Sequence, residues 1–275
     1  GLYNGAERRL GDDGLKIREK KIVYYQDELR DEFSEAVITP RVIDSNYVYL
    51  HKNKIWNGCS FLMQNILSMP IKLWYAKGVL HVKYIGKEKL KQKKDEGYFM
   101  YVNHTQPFAD TFLPSIPIYP KRNFFIVNPE NVSMKGLQTL VEMLGALPIP
   151  TDIGGMKHFL KAVEQKIQMG NSITIYPEAH IWPFYTGIRP FPDVSFRYPV
   201  QMKKAAYCMT NTYQSYRKKG DKVRVVSYID GPFLPDETLP PKQSRKELRD
   251  RIYACMCERS KNSNVELIAY RKSPN

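Results

Sequence analysis

The sequence predicts an α/β fold: a mixed, largely parallel sheet flanked by helices, with an N-terminal amphipathic helical appendage. Three observations carry this. From residue 79 to about 260, short strand-like runs alternate with helix-length amphipathic stretches. One run, Phe99 to Val102, is apolar throughout, as a buried strand is. Before all of these, residues 51–78 form an apolar series bordered by lysines and aromatics, with no continuous apolar run approaching the ~20 residues of a membrane span. The division expected is a polar lead-in and amphipathic segment over 1–78, then an α/β domain over 79–275.

In the lead-in, Lys20 to Tyr25 reads as a short strand, and Gln26 to Glu35 offers Leu29 and Phe33 at helical spacing. Pro70 divides the series at 51–78 into two short helical pieces, with Lys52, Lys54, Lys72 and Lys77 at its flanks. Such a segment suits a membrane interface, and its periodicity equally suits a pair of core-covering helices.

Strands are then expected at Leu80–Ile85, 98–103, Asn123–Asn128, a short extended piece at Ala146–Pro150, Ser172–Tyr176, the apolar stretch Ala205–Met209, and Val223–Ile229. Leu137, Leu140, Val141 and Leu144 share a helical face that Gly145 ends. Met156, Phe159, Leu160, Val163 and Ile167 form the clearest helical stripe, closed by Gly170. Ser244-Arg-Lys-Glu247 reads as a capping box opening a helix to about Arg259, and Val265–Tyr270 as a last strand.

Composition narrows the function classes. Lys and Arg number 42 against 28 Asp and Glu, a formal charge of +14, which suits an anionic partner or simply solubility. Four cysteines lack zinc-type or disulfide-rich spacing, so a reducing cytosolic setting is the default. The histidines His51, His81, His104, His158 and His180 are scattered, and no metal site is expected. The opening Gly1-Leu-Tyr-Asn, soon followed by Arg8 and Arg9, is not patterned as a signal peptide. G-x-S-x-G, Walker A and G-x-G-x-x-G signatures are absent. Lysines at 87–94 and 217–222 suit nucleic acid, but no RNP-like or helix-turn-helix signature accompanies them.

Two strand ends carry polar clusters. Asn103-His104 closes one strand, and Asp110 lies just beyond Pro107, a residue suited to a helix's first turn. A carboxylate there can orient an imidazole and leave its other nitrogen free to take a proton. The same pair also serves as a turn histidine and a helix-start aspartate. Pro177-Glu178 and His180 close the second strand. In open α/β sheets ligands bind at such carboxyl ends, so the two clusters are expected to converge.

The order of these features resembles the glycerolipid acyltransferase family, the 1-acylglycerol-3-phosphate acyltransferase-like enzymes. Its first motif is similar to Asn103-His104 through Asp110, and its second to Gly145 through Thr151. Its third, Pro-Glu-Gly-Thr-Arg, is similar to Pro177-Glu178-Ala179-His180-Ile181, with Gly187-Ile-Arg189-Pro-Phe191 downstream. Pro199 stands where the fourth motif begins, and the late Gly-Pro is similar to Gly231-Pro232, so the likeness covers about 79 to 235.

The resemblance implies an acyltransferase that moves an acyl chain from acyl-CoA or an acyl-carrier protein to a hydroxyl of a lipid or lysophospholipid. His104 would be the base and Asp110 its orienter. Glu178, Asn103, His180 and Arg189 would meet the acceptor. It implies no cofactor beyond the acyl donor, no nucleic acid, and a cytoplasmic protein peripheral to an anionic membrane face. Two departures stand out. Five residues, Thr105 to Ala109, separate His104 from Asp110, one more than the family's four. Thr151 and Ile181 occupy the positions of arginines that hold the acceptor's phosphate. Either another cation (Arg189, Arg197, Arg122 or Lys157) takes that part, the acceptor carries no phosphate, or the chain is a catalytically silent lipid-binding scaffold.

Overall fold

A computed structural model describes residue 15 and residues 21–34, 38–217 and 220–274. Seven strands form one sheet in the order β2-β8-β7-β3-β6-β4-β5. They are β2 (Lys83–Ile85), β3 (Tyr98–Val102), β4 (Asn123–Val127), β5 (Ala146–Pro148), β6 (Ser172–Ile175), β7 (Ala206–Ser215) and β8 (Val223–Phe233). From β7 across to β5 all neighbours are parallel, and β8 returns antiparallel to β7 with β2 parallel to it. The mixed, largely parallel sheet is therefore as the sequence predicts.

Side chains of the central strands alternate between two cores. Phe99 and Tyr101 of β3 enter one with Phe159, Val163 and Ile167 of a long helix and Leu248, Ile252 and Met256 of another. Tyr98, Met100 and Val102 enter the other, with Ala76, Val79, Leu113 and Tyr207.

The helices are α1 (Lys54–Leu62), α2 (Ser68–Trp74), α3 (Ser115–Ile118), α4 (Gln138–Met143), α5 (Ile153–Gln168), α6 (Arg197–Met202) and α7 (Pro241–Ser260). Pro70 does not divide the amphipathic series. Wide turns at Met63–Leu67 and Tyr75–Val79 flank α2, and helical backbone runs from Lys54 to Val79. Pro70 falls in the first turn after a wide one, where a missing N–H is tolerated. Asn53 caps this arm by accepting from the N–H groups of Ile55 and Trp56. Ser60 and Gln64 fasten it to the body through the carbonyls of Met143, Asn123 and Leu144.

Three local expectations fail. Ser244 is not a cap: α7 begins three residues earlier at Pro241, which suits a first helical position, and Ser244 is buried inside it. Residues 26–34 make turns, because Asp31 Oδ2 accepts from the N–H groups of Gln26 and Asp27 while Asp27 Oδ1 accepts from Leu29; side-chain acceptors have displaced helical bonds. Residues 35–37 lie outside the described residues. After Pro107 the chain forms a turn and the short 3-10 segment Ala109–Thr111 in place of an α-helix.

The strand near the N-terminus, β1 (Lys21–Tyr25), pairs in parallel with β9 (Ile268–Lys272) as a separate two-stranded sheet. Tyr25, Phe33 and Tyr270 pack their rings around Trp182. Among the described residues no helix is long and apolar enough to cross a membrane.

Candidate active site

β3 lies between β6 and β7, so its carboxyl end opens at the middle of the sheet. Asn103 fixes that end: its amide donates to the Asn211 carbonyl at 3.1 Å and its Oδ1 accepts from the Asn211 N–H at 2.8 Å. The turn that follows is held at several points. The N–H groups of Trp182 and Phe184 donate to the carbonyls of His104 and Thr105, and the Gln106 amide donates to the Tyr213 hydroxyl.

This turn brings His104 and Asp110 together, with Asp110 Oδ2 2.6 Å from His104 Nδ1. The same oxygen accepts from the Gln106 N–H at 3.0 Å. An ionised carboxylate can accept both bonds, which places a proton on Nδ1 and leaves Nε2 bare. The extra residue between the pair is absorbed in non-helical backbone, so it does not rotate Asp110 away. Asp110 is 4% exposed and His104 25%, so the carboxylate is shielded while the ring reaches solvent. Burial pushes the Asp110 carboxyl up, against the hydrogen bond and charge of His104, which pull it down. The Tyr176 hydroxyl donates to the Asp110 main-chain carbonyl, and its ring lies 4.8 Å from the imidazole.

The second cluster converges on the first, but through the backbone. Glu178 Oε1 accepts the His104 N–H at 2.9 Å and Oε2 accepts the Arg189 N–H at 2.8 Å. The Arg189 guanidinium lies 3.4 Å from Glu178 and 4.8 Å from the Trp182 ring, and it donates to the carbonyls of His180 and Glu28. Glu178 and Arg189 are both buried. Burial raises the Glu178 pKa and the Arg189 charge opposes it. The structure thus places Asn103, Glu178 and Arg189 behind the His104 turn, bonded to the protein itself. His180 points elsewhere, its Nδ1 3.3 Å from Glu32 Oε2. At the position of the family's motif glycine, Ala179 holds φ 63, a conformation that glycine adopts without strain.

His104 and Asp110 open on a cleft of about 380 Å³. Its walls are largely apolar, from Phe125, Val127, Ile149, Met156 and Ile175, with Tyr176, Asn128, Ser195 and Arg197 among the polar groups. Arg197 is the one arginine or lysine on the wall among the described residues. Its Nη2 rests 3.1 Å from the Met156 thioether, and its buried Nε has no acceptor.

Neither departing motif position faces the cleft as a cation. Thr151 straps residue 43 by exchanging bonds with the Ile43 N–H and carbonyl, and Ile181 is buried. No motif marks Tyr176 in the sequence; its place directly after β6 is the one signal it carries. Cys208, Asp230 and Cys255 bring ligand atoms within 4.8 Å of one another. Asp230 is already engaged by Arg259 and Lys89, which fits a structural ion-pair cluster better than a cation site.

An acyltransferase family profile matches residues 81–216. No match was found among curated proteins. Among solved structures, the 1-acyl-sn-glycerophosphate acyltransferase PlsC from Thermotoga maritima is similar at 16% identity and a TM-score of 0.49, over 79% of this chain and 86% of that one.

Proposed function

We propose that this chain, whose residues 81–216 match an acyltransferase profile and whose motifs resemble the glycerolipid type, moves an acyl group from a thioester to a hydroxyl of a lipid acceptor at a membrane surface. The observation that carries the reading is the Asp110–His104 pair opening on an apolar cleft. Nε2 of His104 takes the proton as the acceptor oxygen attacks the thioester carbonyl. The tetrahedral intermediate then collapses, the C–S bond breaks, and the imidazolium returns the proton to the leaving thiolate. Asp110 favours the imidazolium while it exists, as the carboxylate of a triad does.

Arg197 is the cation proposed to meet the acceptor's phosphate, because among the described residues its guanidinium forms no ion pair with a carboxylate and its Nε lacks an acceptor. The test is a screen of phosphorylated against unphosphorylated glycerol acceptors with detection of released thiol. Arg197→Gln should weaken use of the phosphorylated acceptor by about 10- to 100-fold, the loss of a hydrogen bond to a charged group. Equal use of both acceptors by the unaltered protein would overturn this assignment.

Membrane docking is proposed for the arm from Lys54 to Val79. Ile55, Phe61, Ile66, Leu67, Ile71 and Trp74 are exposed on it, Ile55 by 77%. The His104–Asp110 turn adds Phe108, 56% exposed and 5.2 Å from Tyr75 of the arm, which puts an apolar contact beside the catalytic turn. Acyl-CoA and an acyl-carrier protein are both compatible donors. The lipid-binding scaffold remains the second reading, favoured by Thr151 and Ile181; absence of thiol release with every acceptor would select it.

A further inference from the structure

A second opening lies under the arm, away from His104. It is lined by Tyr47, His51, Trp56, Ser60, Arg122, Phe124, Glu142 and Lys166, among others, and its interior of about 20 Å³ holds about one water. Lys166 of α5 and Arg122 before β4 both face the ring of Phe124, with Lys166 Nζ 4.4 Å and Arg122 Cζ 5.0 Å from its centroid. Arg122 donates to Gln64 Oε1 at 2.7 Å and to Ser60 Oγ at 3.1 Å, both on the arm. Among the described residues no carboxylate forms an ion pair with either cation. The acid on the wall, Glu142, is held by Arg41 at 3.0 Å. Burial, aided by the Arg122 charge, brings the Lys166 pKa down to about 8. Two half-buried like charges with no carboxylate partner among the described residues favour an anion between them.

We propose that Arg122 and Lys166 form a binding site for the phosphate of an anionic phospholipid headgroup, seated at the mouth of this opening with one oxygen inserted. A headgroup is favoured over a soluble anion because Arg122 bonds to the arm whose Ile55 and Phe61 are exposed for an apolar phase. The inference rests on the docking reading above. It adds lipid selectivity to it: the arm supplies apolar insertion, and the cation pair supplies the preference for anionic lipid.

The experiment uses the full chain and co-sedimentation with vesicles of phosphatidylcholine alone and of phosphatidylcholine with phosphatidylglycerol. Lys166→Met removes the charge at near-constant length, and Lys161→Met does the same at an exposed position of α5. The expected result is that Lys166→Met loses about five-fold in affinity for anionic vesicles and nothing on neutral ones, the scale of one basic group at a charged surface. Lys161→Met should lose clearly less, because it lies outside the site, and Lys166→Arg should keep the preference. In parallel, anionic vesicles should slow acylation of Lys166 by an amine reagent, read by peptide mass spectrometry, since a phosphate there raises the pKa of the amine.

Equal losses for the two Met variants, or no protection of Lys166, overturn the site while leaving membrane docking intact. No binding to either vesicle overturns both docking and the headgroup assignment. If inorganic phosphate alone protects Lys166 as well as anionic vesicles do, the ligand is a soluble phosphate and the headgroup assignment fails.

Discussion

Glu178→Gln separates two roles for one residue. The family resemblance gives Glu178 to the acceptor, whereas its oxygens take the backbone N–H groups of His104 and Arg189, with the Arg189 guanidinium 3.4 Å away. Glutamine has one oxygen and an NH2 group, so one of those N–H donors would face another donor. Arg189, with a side chain only 1% exposed, would lose its buried counter-charge. Removing one partner of a buried pair costs about 3–5 kcal/mol. In a chain of this size that lowers the melting temperature by roughly 6–20 °C. The assay is thermal unfolding together with steady-state kinetics. Melting should fall, kcat should fall as His104 loses its anchor, and KM for the acceptor should change little. Pairing it with Arg189→Met should recover some 0.5–3 kcal/mol relative to additivity. An unchanged melting temperature with a raised acceptor KM would return Glu178 to the acceptor.

Other outcomes follow from the same geometry. Asp110→Asn should cut thiol release by about 10²–10⁴-fold, because the imidazole loses its tautomer partner. The folded-state pKa of Asp110 is raised by burial, so its ionisation opposes folding at neutral pH. The Asn variant should therefore melt at or above the unaltered protein at pH 7, with the advantage shrinking on acidification; a lower melting temperature at pH 7 counts against this. Asp230 has the opposite sign. Burial would raise its pKa, but hydrogen bonds and charge from Arg259 and Lys89 bring it from 3.8 to about 2, worth about 2 kcal/mol. That stability is present above about pH 4 and lost as pH falls through 2, so the deficit of Asp230→Asn in urea unfolding at pH 7 should close in acid. Gly145→Ala should destabilise strongly, since φ is +108 and the new Cβ would lie 2.3 Å from Gln64 Nε2, one of the arm's fastenings; an unchanged urea midpoint would contradict it.

The sheet was legible because its strands are marked locally, by apolar runs such as Phe99–Val102 and by the alternation that ends at Asp230-Gly-Pro232. The strip under α5 was equally plain from Phe159, Val163 and Ile167. What failed were elements in which side chains compete with the backbone. Asp27 and Asp31 turn a helical spacing into turns, and Ser244 has the residue type of a cap but lies inside a helix that Pro241 begins. At the site, residue types and strand ends placed His104 and Asp110 side by side. The direction of Glu178 could not be read, since a carboxylate after a strand can face ligand or backbone, and only the fold of the His104 turn decides. Arg197 was one cation among four candidates. The segment 192–198, which carries it to the cleft beside Met156, is set by packing of Phe191 and Phe196 in the core.

In the proposed reaction His104 is the base of an acyl transfer. That role is tested most directly by thiol release from an acyl thioester in the presence of a lysophospholipid acceptor, comparing the unaltered protein with His104→Ala. Release that depends on acceptor and falls by about 10²–10⁴-fold in a variant that still unfolds cooperatively is the predicted result. Acceptor-dependent release at the unaltered rate from His104→Ala would contradict it.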